Sequence, residues 1–131
     1  MATVTLISDA EASAEVRAVF DDIRTTRGSD FINNFWRALA HDPALLRATW
    51  ERLKSVMGPG TLDPLTKELI YIAVSVANGC EYCAHSHTAA ARAKGMTPVQ
   101  HGELLSVIGM ASQTNALATA LQVPVDDAFN I

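Results

Sequence analysis

Cysteine is scarce in this chain, with two in 131 residues. That excludes a disulfide-stapled secreted scaffold, and a domain of this length can bury a core without staples. In a reducing cytosol two lone cysteines do not make a permanent structural bridge, so redox chemistry and metal binding become the open questions. Charge is also thin: 18% of residues are charged and 49% hydrophobic. Such a surface needs covering by another subunit, which predicts a homo-oligomer. Positive charge is in the minority, at a net −4 with the basic residues scattered. No footprint for nucleic acid or an anionic membrane results. The longest strongly apolar stretch, "LIYIAVSVANG" from Leu69, is half of the roughly 20 residues that a membrane span needs. The opening "MATVTLISDA" has neither the basic start nor the apolar core of a secretory signal. The expectation is a soluble, cytoplasmic protein. Linkers, low-complexity segments and fixed-period repeats are missing as well, so the expectation is one domain over residues 1–131.

What is present points to helices. "SDAEASAEVRAVFDDIRTTRG" offers Ser8 or Asp9 as a cap, Val16, Val19, Phe20 and Ile23 at helical spacing, and Gly28 as a stop. A short helix from about Phe31 to Ala40 is predicted next, with Phe31, Phe35 and Leu39 as its apolar face. Asp42-Pro43 then opens a helix whose stripe is Leu45, Leu46, Trp50, Leu53 and Val56, closed by "GPG". Asp63-Pro64 repeats that opening, and Gly79 ends a helix that is apolar nearly all round beyond Lys67 and Glu68. A fifth helix is predicted from near Cys80 to Lys94, stopped by Gly95. Thr97-Pro98 starts a sixth, and "ELLSVIGMASQTNALATALQ" supplies one or two more before Val123 and Pro124, with an irregular tail. "VTLI" and "IYIAVSV" are the strand candidates, but the second lies between helix signals and is read as helix. The fold class is therefore all-α, a bundle of about six to seven helices.

The two cysteines and two of the four histidines fall between Cys80 and His87. Cys80-Glu81-Tyr82-Cys83 is a C-x-x-C pair at a predicted helix N-terminus, where unpaired N–H groups and the helix dipole favour thiolate. One turn separates the two sulfurs, so they can close a local disulfide. His87 follows Cys83 by four positions and Cys80 by seven, which puts all three on one helix face. An imidazole there can take the thiol proton and pair with the thiolate. If the fourth and fifth helices pack antiparallel through Asn78-Gly79, Glu68 and His87 come within reach directly or through a water, and the carboxylate can orient the ring.

Plainer readings stand beside these. The cysteines can be small buried hydrophobes, His87 a satisfied core or surface histidine, and Glu68 a solvated acid in an early helical turn beside Lys67. A Cys2His2 zinc set can be written from Cys80, Cys83, His85 and His87, but His85 lies on a different helical face from His87. Covalent haem needs a histidine where Ala84 stands, and no βαβ pattern supports a thioredoxin-like domain. Tyr82 can hydrogen-bond near the sulfurs or simply pack, and His85 reads as solvated. His41 and His101 read as structural or exposed. Phe31, Phe35, Trp36 and Trp50 read as core, although some could wall the dithiol.

Glu68, then Cys80-x-x-Cys83 and His87, set in "KELIYIAVSVANGCEYCAHSHTAAARAKG", closely resembles the AhpD-like alkylhydroperoxidase branch of the carboxymuconolactone decarboxylase family. The likeness is strongest over residues 63–95. It implies an all-helical fold assembling into homotrimers or homohexamers, and a peroxidase acting on hydrogen or organic peroxides. By position it implies Cys83 as the peroxidatic thiol, Cys80 as its resolving partner, and His87 with Glu68 as the proton relay. An external dithiol, such as a lipoyl-bearing adaptor, would reduce the disulfide. The best characterised members have a histidine directly before the second cysteine, where this chain has Tyr82, an accessory position. The decarboxylase branch lacks the dithiol, and nothing in the chain supplies a bound flavin, haem or nicotinamide site. The rival readings are a thiol-disulfide reductase or redox sensor without efficient peroxide turnover, and a non-enzymatic oligomeric or zinc-binding module.

Overall fold

A computed structural model describes residues 2–129. Six α-helices, one 3-10 turn and no strand occur among the described residues, in line with the all-α reading. The chain divides into two compact units, Met1–Gly58 and Pro59–Ile131.

The first unit holds α1 (Ala14–Arg27), α2 (Asn34–Leu39) and α3 (Pro43–Met57). Ser13, rather than Ser8 or Asp9, caps α1 by accepting from the Val16 N–H. Ser8 is engaged in a separate turn, where its N–H and hydroxyl both donate to Glu11. Val16, Val19, Phe20 and Ile23 are buried as their spacing predicts, together with Leu46 and Trp50 of α3. Phe20, Ile23 and Leu46 are fully enclosed, and each such side chain contributes about 1.5–3 kcal/mol over leaving it in water. In α2 the expected face holds at Leu39, which packs against the core, but is wrong by one position at Phe31 and Phe35. Ile32 and Trp36 are buried, whereas Phe31 is 67% exposed and Phe35 is exposed too. A helix of six residues is too short for a 3.6-residue period to discriminate between neighbouring i, i+4 pairs. Leu45 and Val56 of the predicted α3 stripe are also exposed. Trp50 donates from Nε1 to Asp22 at 2.6 Å, and Lys54 pairs with the same carboxylate at 2.8 Å.

The second unit contains α4 (Pro64–Ala77), α5 (Glu81–Ala93) and α6 (Pro98–Leu121), with the 3-10 turn Asp127–Phe129 in the tail read as irregular. Asp63 caps α4 by accepting from Thr66 N–H at 3.0 Å, with Pro64 at its first turn. These signals outweigh the β-branched content of "IYIAVSV", which is helical as expected. Gly79 at φ +67° closes α4 in a Schellman turn, the Cys80 N–H donating to the Ser75 carbonyl at 2.9 Å. The chain reverses there, and α5 returns along α4. Ile72, Ala91 and Met96 form the core of this unit, with Leu65, Leu69, Leu104 and Ile108 packed against it. Thr97 and Gln100 form a capping box at the start of α6. A single helix of 24 residues takes the place of a sixth helix and the one or two more expected after it, because Gly102 and Gly109 do not turn left-handed to stop it, and none of its residues is buried within the chain.

Candidate functional site

Cys80 is the N-cap of α5, and its sulfur accepts the Cys83 N–H at 3.3 Å. The cap position thus sets the first sulfur against the unpaired amides of the helix start. Cys83 stands in the first turn of α5, and the two sulfurs are joined as a disulfide. His87 lies one turn beyond Cys83 on the same helix face.

The antiparallel return of α5 brings His87 to Glu68 without an intervening water: Nδ1 lies 2.7 Å from Glu68 Oε2. The carboxylate is 4% exposed. Its second oxygen, Oε1, accepts from Lys94 Nζ at 2.8 Å, so both oxygens are held by donors from α5. Burial pushes the Glu68 carboxyl upward, but hydrogen bonds and charge from His87 and Lys94 outweigh it and hold it below its ordinary range. The side chain is therefore ionised at neutral pH, an acceptor only, which fixes His87 Nδ1 as a donor. Nε2 is left as the ring nitrogen able to take a proton. The ring is also held from one face, because Tyr71 stacks on it with centroids 3.5 Å apart and planes 18° from parallel.

The four residues singled out from sequence, Glu68, Cys80, Cys83 and His87, thus occupy one facing stretch of α4 and α5. Lys94 and Tyr71 were not singled out. Tyr71 follows Glu68 by three positions, which is a helical-spacing signal, while Lys94 carried no signal beyond its place near a helix end. Tyr82 and His85 are exposed. His41 is exposed, with Nε2 2.7 Å from the Thr5 carbonyl. His101 lines a shallow groove with Arg92, Met96, Thr97 and Pro98. Trp36 and Trp50 belong to the core of the first unit. Among the described residues no group of three or more histidine, cysteine or acidic side chains converges to hold a metal ion.

Residues 43–126 match the carboxymuconolactone decarboxylase family. An uncharacterized protein of Cupriavidus necator is 32% identical over 101 residues, spanning 76% of this chain and 89% of that protein. The alkyl hydroperoxide reductase AhpD of Solibacter usitatus is 41% identical over 64 residues, 49% of this chain and 34% of that enzyme's length. The crystal structure of an alkylhydroperoxidase AhpD core from Rhodospirillum rubrum superposes with a TM-score of 0.97 at 70% identity, covering 100% of this chain and 98% of the other. The fold is thus that of the AhpD core, and the chain belongs to the carboxymuconolactone decarboxylase family, on its AhpD-like side.

Proposed function

We propose that this chain is a thiol-dependent peroxidase that reduces hydrogen or organic peroxides through the Cys80–Cys83 pair. The observation that carries the reading is the buried Glu68–His87 contact, one helical turn from a C-x-x-C pair at a helix N-terminus. Peroxide reduction by a thiol needs two things from a protein, a thiolate and a proton for the leaving oxygen. The relay supplies both. His87 Nε2 takes the Cys83 proton, and Glu68 stabilises the imidazolium that results. The Cys83 sulfur attacks the peroxide; an S–O bond forms as the O–O bond breaks, and the departing alkoxide or hydroxide takes the imidazolium proton. Cys83 is now a sulfenic acid. The Cys80 sulfur attacks it, an S–S bond forms, and the oxygen leaves as water. Two electrons have passed from the thiol pair to the peroxide. An external dithiol returns them by thiol–disulfide exchange, and a lipoyl-bearing adaptor is the kind of donor to which the family resemblance points.

The same pair suits a second reading, a disulfide reductase or sensor, because a sulfur at a helix cap also favours disulfide exchange. Comparing oxidants separates the two. The reduced protein, given dihydrolipoamide as electron donor, should turn over hydrogen peroxide or an organic hydroperoxide faster than a small disulfide. Preference for the disulfide would establish the second reading instead.

We also propose a homotrimer or homohexamer. α6 is long and apolar enough to cross a membrane by length and composition. Its polar residues, among them Gln100, Glu103, Ser106, Gln113 and Asn115, fall on every side of it, a pattern suited to subunit contact rather than to lipid. Sedimentation analysis giving a monomer would refute this.

A further inference from the structure

Glu68 presents two oxygens, and only one serves His87. The other accepts from Lys94 at 2.8 Å, and the geometry points to Lys94 as the third member of the relay. We infer that it is a positioning residue: it fixes the buried carboxylate from the end opposite His87, keeps it charged, and sets the pH at which the dithiol becomes reactive. This rests on the peroxidase reading for its biological use, though not for its test.

The backbone is built to place Lys94. It is the C-cap of α5. Gly95, at φ +94°, turns the chain left-handed immediately after it, and the Met96 N–H closes back to the Ala91 carbonyl at 3.0 Å. This is a second Schellman turn, with Ala91 and Met96 both buried in the core of the unit. The Cα of Lys94 is therefore held by backbone bonds and an apolar plug, and its side chain is not needed to end the helix. The side chain is 36% exposed, so solvation was available to the ammonium; it instead makes a short contact with a carboxylate that is almost fully buried.

The charged and titratable groups facing that carboxylate are His87 and Lys94 from α5, with Tyr71 from its own helix against the imidazole. α6 contributes Leu104 and Ile108 to the adjoining core, both apolar. Lys67, the sequence neighbour of Glu68, points its Nζ toward Gly60. Lys94 is accordingly the fixed cation paired with this carboxylate. Removing its charge makes every nearby proton harder to lose. Lys94 contacts the carboxylate that pairs with His87, so the imidazole responds most: it keeps its proton to higher pH, the imidazolium stabilises the Cys83 thiolate over a wider range, and the onset of thiol reactivity moves to lower pH.

The test follows the rate of Cys83 alkylation by iodoacetamide against pH, read by mass spectrometry on reduced protein, in wild type, Lys94→Met and Lys94→Arg. Lys94→Met should move the rising limb downward by roughly half a pH unit to one unit, as expected for one partly screened charge. Lys94→Arg should restore it. A lower melting temperature with an unmoved limb would make Lys94 a helix clasp only and overturn the inference. If Lys94→Met does not fold, the wild type still decides: the NMR signal of the Lys94 ε-carbon should share an inflection with the His87 ring signals, and no shared inflection overturns it. Alkylation needs no peroxide, so a protein that fails to turn over peroxide can still pass or fail this test.

Discussion

Glu68→Gln removes a charge while keeping the shape of the side chain, and the structure sets the size of the effect. His87 and Lys94 each donate to the carboxylate, and a hydrogen bond to a charged group is worth about 1.5–3 kcal/mol. Glutamine keeps one acceptor oxygen and replaces the other by an amide that can only donate. One bond is lost, and a donor is set against a donor at a site 4% exposed, where water cannot repair it. Lys94 is 36% exposed and can turn to solvent, so the glutamine oxygen goes to His87 and the loss falls near the lower end. About 2 kcal/mol of stability should go, or roughly 6–10 °C in melting temperature for a chain of this length. The chemical cost is larger in consequence. Without the negative charge the imidazolium loses a comparable stabilisation, which corresponds to about 10–100-fold in the rate of thiolate formation. Rapid-quench trapping of the reduced variant with peroxide at neutral pH measures that rate. A folded Glu68→Gln protein within about twofold of wild type would show that the carboxylate only holds α4 to α5.

Other expectations follow from the same geometry. Because Glu68 lies below its ordinary 4.5, the unfolded chain binds its proton more tightly than the folded one. The stability it contributes is whole above about pH 4.5 and is lost as pH falls through the lower folded value. Urea titrations across this acid range should show wild type losing stability more steeply than Glu68→Gln; parallel curves would refute the linkage. Tyr71→Leu keeps an apolar neighbour but removes the ring stacked on His87, and should slow peroxide-driven disulfide formation several-fold, about 1 kcal/mol of ring positioning, without changing the dependence on Cys83. Ile72→Ala empties a fully packed position in the core of the second unit, and should cost about 2–4 kcal/mol in denaturant unfolding; a loss under about 1 kcal/mol would mean that the site collapses to fill the space.

The parts of the fold legible in sequence are those with local chemistry. Asp63-Pro64, Asn78-Gly79 and Thr97-Pro98 are caps and stops, each satisfied by backbone groups a few residues away, so α4 and α5 could be placed almost to the residue. Their antiparallel pairing then let turn counting put Glu68 near His87. What counting could not supply was the direct 2.7 Å contact, because that depends on side-chain torsions. Lys94 was hidden for the same reason: a lysine in the last turn of a helix is favoured by the helix dipole alone, and only the course of α5 past Glu68 reveals its partner. The α2 face was misjudged because Phe31-Phe35 and Ile32-Trp36 have the same spacing, and which pair is buried is decided by the core of α1 and α3. The Ser8 signal was a real capping pattern that closes a turn instead of opening α1.

In the proposed reaction peroxide oxidises Cys83 and Cys80 then closes on it. The most direct measurement is mass spectrometry after rapid thiol trapping, on fully reduced protein given limiting hydrogen peroxide or an organic hydroperoxide, with Cys83→Ser, Cys80→Ser and His87→Ala alongside. One Cys80–Cys83 disulfide should form per peroxide consumed, with a sulfenic acid trapped on Cys83 when Cys80 is serine, no reaction when Cys83 is serine, and slow reaction without His87. Thiols that stay reduced in the presence of peroxide, or a sulfenic acid that accumulates on Cys80 instead, would contradict it.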